Sequence, residues 1–177
     1  MIIYDYYERK KEMRKIIVIG CPGSGKSTFS RKLHHVMGIP LFHLDMLYWN
    51  SDKTTVDKDI FKEKLYNIIE KDEWIIDGNY GATIEVRLNA CDTAFFLDYP
   101  LEICLKSIAE RKGKTRSDMP WVESENDDDS DFIEYVKNYN SHTKPDVMDL
   151  LSKYSYKNIY IFKNRNEADE FLNQLCI

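Results

Sequence analysis

Residues 15–28 read KIIVIGCPGSGKST, and this stretch decides the fold. Ile16 to Ile19 make a continuously apolar strand, and beyond Thr28 the residues Phe29, Leu33 and Val36 repeat at helical spacing. Between strand and helix, Gly20, Cys21, Pro22, Gly23, Ser24, Gly25, Lys26 and Ser27 fit the pattern G-x-x-x-x-G-K-[ST] of a phosphate-binding loop, with both required flanks in place. The glycines let backbone N–H groups turn inward as an anion nest, and the following helix adds the positive end of its dipole. Lys26 is expected to reach the β and γ phosphates of ATP, and the Ser27 hydroxyl to ligate Mg²⁺. Two loop positions have alternatives. Ser24 either binds phosphate or is simply small enough for the loop; Thr28 either binds phosphate or packs in the first helical turn.

Composition bounds the rest. The chain has 177 residues, 43% hydrophobic and 13% aromatic, enough for one domain with a real core. We expect that domain over residues 13–177, behind an N-terminal extension, residues 1–12, with Met13 as an alternative start. No run approaches the ~18 apolar residues of a membrane span, and the first fifteen residues are too charged for a signal peptide, so a cytoplasmic protein is expected. Thirty acidic against twenty-five basic side chains, a net charge of −5, disfavour direct nucleic-acid binding. Cys21, Cys91, Cys104 and Cys176 lack C-x-x-C spacing and indicate neither disulfides nor zinc. The acidic run Glu123 to Asp131 reads as a solvated, mobile stretch.

Along the chain, short apolar strands alternate with amphipathic helices. Residues 41–44 form a strand closed by Asp45. Residues 57–72 form a helix with Phe61, Leu65, Ile68 and Ile69 on one face, and residues 74–76 a strand running into Asp77 and Gly78. A strand at 94–97 precedes a helix ending near Arg111. Residues 112–131 have no periodicity, and two helical stretches follow, at about 132–140 and 145–154. A strand at 159–162 leads into a last helix over 167–175. This rhythm predicts an α/β fold: a parallel sheet covered by helices on both faces, joined by right-handed crossovers, with ligands at the carboxyl ends of the strands.

Several residues are expected at those ends. Asp77 is placed to hold Mg²⁺ or its waters, or else caps its loop; Gly78 beside it offers no side chain to align a water and leaves room for a second substrate. Asp45 is placed to accept a proton from an attacking hydroxyl, or else caps a short helix. Tyr48 and Trp49 offer either a stacking surface or ordinary packing. His43, inside an apolar strand, reads as a core histidine. The segment 110–116, ERKGKTR, reads either as a solvated turn or as part of a basic lid over 112–131, in which Arg111 and Arg116 steady the charge of a phosphoryl group in transfer. Arg87 either holds an acidic group of the substrate or pairs near Glu85 on the surface.

With GCPGSGKST, HLDMLYW, WIIDGNYGATIEVRL, TAFFLDYP and RKGKTR together, the sequence resembles the adenylate-kinase-related family of DNA topology modulation proteins over most of Met13 to Leu175. The resemblance implies a P-loop, nucleotide-kinase-like sheet of five parallel strands in the order 2-3-1-4-5. More distantly, IIDGNY is similar to an adenylate-kinase segment in which an Arg four residues after the Asp grips the acceptor monophosphate. Here that position is Gly81, and the next arginine is Arg87, which speaks against a nucleoside monophosphate as acceptor. The expected function is a kinase that transfers the γ-phosphate of MgATP to a nucleotide, a nucleoside-like compound or another hydroxyl- or phosphate-bearing metabolite. The alternatives are a regulatory P-loop NTPase linked to DNA topology and a pure binding module.

Overall fold

The computed structural model describes residues 12–122, 124 and 127–176. Apart from Glu12, the expected N-terminal extension lies outside them, as do Glu123, Glu125 and Asn126 of the acidic run. Five strands, β1 (Lys15–Gly20), β2 (Leu41–His43), β3 (Trp74–Asp77), β4 (Thr93–Leu97) and β5 (Asn158–Phe162), form one parallel sheet in the order β2-β3-β1-β4-β5. Register is continuous across the centre, with Ile17 opposite Ile76 on one side and Ala94 on the other. The helices are α1 (Lys26–Met37), α2 (Leu44–Tyr48), α3 (Lys58–Ile69), α4 (Gly81–Ala90), α5 (Leu101–Arg111), α6 (Ser130–Lys153) and α7 (Arg165–Leu175).

Both faces of the sheet are covered, which explains why its strands are apolar without alternation. On one face Ile16 and Val18 pack with Phe29 and Leu33 of α1 and Phe171 of α7. On the other, Ile17 and Ile19 pack with Leu65 of α3 and Ile84 and Leu88 of α4. Helix starts follow local chemistry: the Asp57 carboxylate accepts from the Asp59 amide (2.8 Å) and the Asn164 side chain from the Glu167 amide (3.0 Å).

Two boundaries differ from expectation. β2 ends at His43, and Asp45 sits in the first turn of α2, whose cap is His43, because the chain turns there to bury Leu44 completely. The two helical stretches expected near 132–140 and 145–154 are one helix, α6, with Pro145 inside it. Its first half buries Val136 and Tyr139 in one core cluster and its second half buries Val147 and Leu151 in the other. Packing at both ends outweighs the backbone bond that proline removes.

Candidate functional site

The loop between β1 and α1 opens onto a cleft of about 1060 Å³ lined by Gly23, Gly25, Lys26, Ser27 and Thr28. Helix α5 presses against the loop: a Cβ on Gly23 (φ 82°) would lie 2.2 Å from the Cys104 carbonyl oxygen, so only glycine fits there. The first bond of α1 runs from the Phe29 amide to the Gly25 carbonyl (2.9 Å), so the amides of Lys26, Ser27 and Thr28 have no partner within the helix. Lys26 Nζ donates to the carbonyls of Gly20 (2.9 Å) and Cys21 (3.1 Å). Burial pushes its pKa down, against the opposing pull of Asp77 and Asp45. Ser24 takes its second reading. It is buried and absent from the cleft lining, its amide donates to the Cys21 carbonyl, and its hydroxyl packs beside Gly20.

Asp77 ends β3 at 4% exposure. His43 Nδ1–H donates to its Oδ1 (2.8 Å), while Oδ2 is buried and unpartnered among the described residues. His43 is thus a largely buried histidine satisfied by Asp77, whose carboxylate it orients. The orphaned Oδ2, the Ser27 hydroxyl and the glycine cradle fit the MgATP that the loop motif implies, because Mg²⁺ takes one or two protein ligands and fills its shell with phosphate and water. Gly78 has a reason other than the expected one. Its φ is 125°, and a Cβ there would lie 3.0 Å from the Leu44 side chain, so the backbone and the core require glycine at this position on the cleft lining.

Asp45 faces the cleft, and Tyr80 donates its hydroxyl to Asp45 Oδ1 (2.6 Å). Burial raises the Asp45 pKa, and the Tyr80 bond and the Lys26 charge offset this only in part. Tyr80 holds a left-handed backbone (φ 41°), uncommon for a residue with a Cβ. Arg87 supplies the reason and overturns its expected role as a substrate ligand. It is 0% exposed, and its guanidinium donates to the carbonyls of Gly78 (2.8 Å), Asn79 and Thr83 (3.3 Å), clamping the loop that carries Tyr80. Burial lowers its pKa to about 10. Trp49 lines the cleft, whereas Tyr48 does not: it packs edge-on against Trp49, Phe61 and Tyr80, the ordinary-packing alternative.

The segment after α5 reaches over the loop. Arg111 lines the cleft with its guanidinium 5.8 Å from the centroid of the Phe132 ring. Arg116 Nε donates to Asp118 Oδ1 (3.3 Å), and Arg31 of α1 lies 3.5 Å from the same carboxylate. Burial alone would raise the Asp118 pKa; hydrogen bonds from Arg116 and Ser27 and the Arg116 charge overcome it and hold the group well below the usual carboxylate range. The acidic run is not simply solvated. Asp127 accepts from Lys53 (2.7 Å) and Asp129 pairs with Lys112 (2.9 Å), so its described part ties the segment to the rim of the cleft. Trp121 meets Trp49 with ring centroids 5.1 Å apart at 83°.

Sequence reasoning missed Arg31, Asn79, Tyr80, Asp118 and Trp121, all in the cleft. Arg31 was findable, since it lies four residues after Ser27 and so shares its helix face. Asp118 stands two residues from Arg116, a spacing suited to a local ion pair. Nothing local marks Asn79, whose side-chain oxygen accepts from the Gly20 amide (3.0 Å) across two strands.

No family model matches the chain. Adenylate kinase of Thermotoga maritima is 26% identical over 108 residues, covering 59% of this chain and 48% of that protein, so the chain spans about half the length of the curated relatives it matches. Among solved structures, shikimate kinase from Acinetobacter baumannii in complex with shikimate superposes with a TM-score of 0.59 at 14% identity, covering 95% of this chain and 93% of that one. Shikimate kinase from Bacteroides thetaiotaomicron gives 0.56 at 15% identity, covering 92% and 96%. These likenesses establish the fold as the nucleotide-kinase-like arrangement of P-loop proteins. No described helix is long and apolar enough to cross a membrane.

Proposed function

We propose that the chain is a phosphotransferase that moves the γ-phosphoryl group of MgATP, bound on Gly20 to Thr28, to the hydroxyl of a small acceptor. One observation carries this reading: a desolvated carboxylate, Asp45, held by a neutral donor, opens into the same cleft as Lys26 and the first turn of α1. The partial likeness to adenylate kinase and the fold shared with shikimate kinases support it.

In this reading Lys26 exchanges its two carbonyl partners for phosphate oxygens, and the amides of the first turn of α1 supply the rest of the cradle. Ser27 and Asp77 would hold Mg²⁺, which would supply charge neutralisation for the phosphates. Asp45 accepts the proton of the acceptor hydroxyl as its oxygen bonds to the γ-phosphorus, while the bond to the bridging oxygen breaks and leaves ADP. Arg111, the last residue of α5, and Arg116, on the segment that we read as the lid, face the charge that spreads over the moving group.

The test uses Mg²⁺, ATP labelled at the γ position and a panel of nucleosides, nucleotides and sugars, with label sought in any product other than phosphate. Lys26→Ala should abolish transfer in a folded protein. Fast hydrolysis without an acceptor, untouched by Asp45→Ala, would replace this reading with the regulatory NTPase.

A further inference from the structure

The residues that line the cleft divide by chemistry. Around the phosphate loop stand the cations Lys26, Arg31, Arg111 and Arg116, suited to phosphates. Around Asp45 stand Trp49, Tyr80 and Trp121, all half-buried and all facing the cleft. The two indoles cross at 83°, which leaves a corner with one ring face and one ring edge. Tyr48 packs edge-on against both Trp49 and Tyr80, and the Tyr80 hydroxyl donates to Asp45 Oδ1, so the aromatic wall and the base are one assembly. Oδ2 of Asp45 has no hydrogen-bond donor among the described residues, and it is the atom left for an incoming hydroxyl.

Several cations on this side already have partners. Arg87 is withdrawn onto backbone carbonyls, Lys53 is paired with Asp127 (2.7 Å), and Arg116 and Arg31 are engaged by Asp118. An acceptor with its own phosphate or carboxylate would meet Asp45 as a like charge, would lose water against two indoles, and could gain a cation only by drawing Arg31 or Arg116 away from Asp118. A flat, uncharged ring loses little water and gains a face to stack on.

We propose that the acceptor is an uncharged alcohol that also carries a flat ring, the chemistry of a nucleoside, with the flat base seated in the corner between Trp49 and Trp121 and a sugar hydroxyl on Asp45. This rests on the phosphotransferase reading. The acceptor oxygen bonds to the γ-phosphorus, its proton passes to Asp45 Oδ2, and ADP leaves.

Isothermal titration tests it on the full chain, with the nucleotide site first filled by Mg²⁺ and a non-hydrolysable ATP analogue so that only the second site reports. The titrants are the common nucleosides, their 5′-monophosphates and glucose. At least one nucleoside should bind at least tenfold more tightly than its own monophosphate and than glucose. Trp49→Leu and Trp121→Leu should each weaken that nucleoside by about tenfold, the scale of one lost stacking contact. If Trp49→Leu fails to fold, Trp121→Leu decides. A monophosphate or glucose that binds as well as the nucleoside, or no bound nucleoside at all, overturns the proposal. The two readings separate in the labelled-ATP assay. Transfer to a monophosphate keeps the phosphotransferase and refutes the neutral acceptor; a tightly bound nucleoside that is never labelled keeps the pocket and refutes the transfer.

Discussion

Replacing Arg87 by methionine keeps most of the side chain's apolar volume and removes its guanidinium. The carbonyls of Gly78 and Asn79 then lose a buried donor each, and that of Thr83 loses a weaker one. Leaving a buried acceptor unsatisfied costs about 1–3 kcal/mol, so the two strong bonds together are worth about 2–6 kcal/mol. Removing the desolvation penalty of a buried cation offsets part of this and places the net near about 3 kcal/mol. For a chain of this size about 1 kcal/mol moves the midpoint by about 2–4 °C, so Arg87→Met should melt roughly 6–12 °C below the wild type. Arg87→Lys should fall between the two, because one ammonium cannot span three carbonyls held by a planar fork. Thermal unfolding followed by circular dichroism gives the midpoints, and acceptor titration below the lower midpoint gives the binding. An Arg87→Met protein as stable as the wild type, yet impaired in acceptor affinity, would refute the clamp and restore Arg87 to the substrate.

Asp45 should set an acid limb on transfer: its pKa is raised by burial, it acts as base only when ionised, and activity should fall as the pH drops through a value above the ordinary 3.9 or so. Asp45→Asn should lose transfer to the acceptor far more than residual hydrolysis, a split measured with labelled ATP. Arg116→Gln and Arg111→Gln should lower turnover more than ATP affinity, because a cation over the loop gains most as charge develops; a change in affinity alone would make the segment a clamp. Asp118 has a depressed pKa when folded, so its stabilisation is complete above the ordinary carboxylate range and is lost as the pH falls toward the folded value. Asp118→Asn should therefore melt below the wild type at pH 7, with the gap closing below about pH 4.

What could be read from the sequence is what local pattern determines. The phosphate loop is contiguous and its chemistry is backbone geometry, so its composition and flanks were enough. The sheet showed as uniformly apolar strands because both faces are buried. Asp77 was legible as an acid at a strand end, and Asp45 as an acid just beyond one. Arg87 was not legible as a clamp, because arginine is seldom fully buried and its partners are carbonyls, which no side-chain pattern records. His43 was legible as a histidine inside an apolar strand, but its partner was not, because the parallel register that sets it opposite Asp77 joins residues far apart in sequence. The acidic run was legible as a solvated stretch, but its ion pairs with Lys53 and Lys112 were not, because nothing in its own composition names a partner.

Residues 78–80 link these parts. The Gly78 amide donates to the Val18 carbonyl (3.2 Å), the Asn79 side chain accepts from the Gly20 amide at the start of the phosphate loop, and the Tyr80 hydroxyl holds Asp45. Three consecutive residues thus connect the central strand, the nucleotide cradle and the proposed base, and Arg87 donates to all three of their carbonyls, most weakly to that of Tyr80. In-line transfer depends on the distance between the γ-phosphorus and the acceptor oxygen, and a misplacement of about 1 Å can cost about a hundredfold in rate. The buried arginine touches no substrate, but the loop it clamps sets the separation of the two half-sites. Arg87→Met should accordingly lower turnover even where it is folded, with the loss falling on transfer to the acceptor and not on nucleotide binding. That split is the one to expect if the two half-sites drift apart while each stays intact.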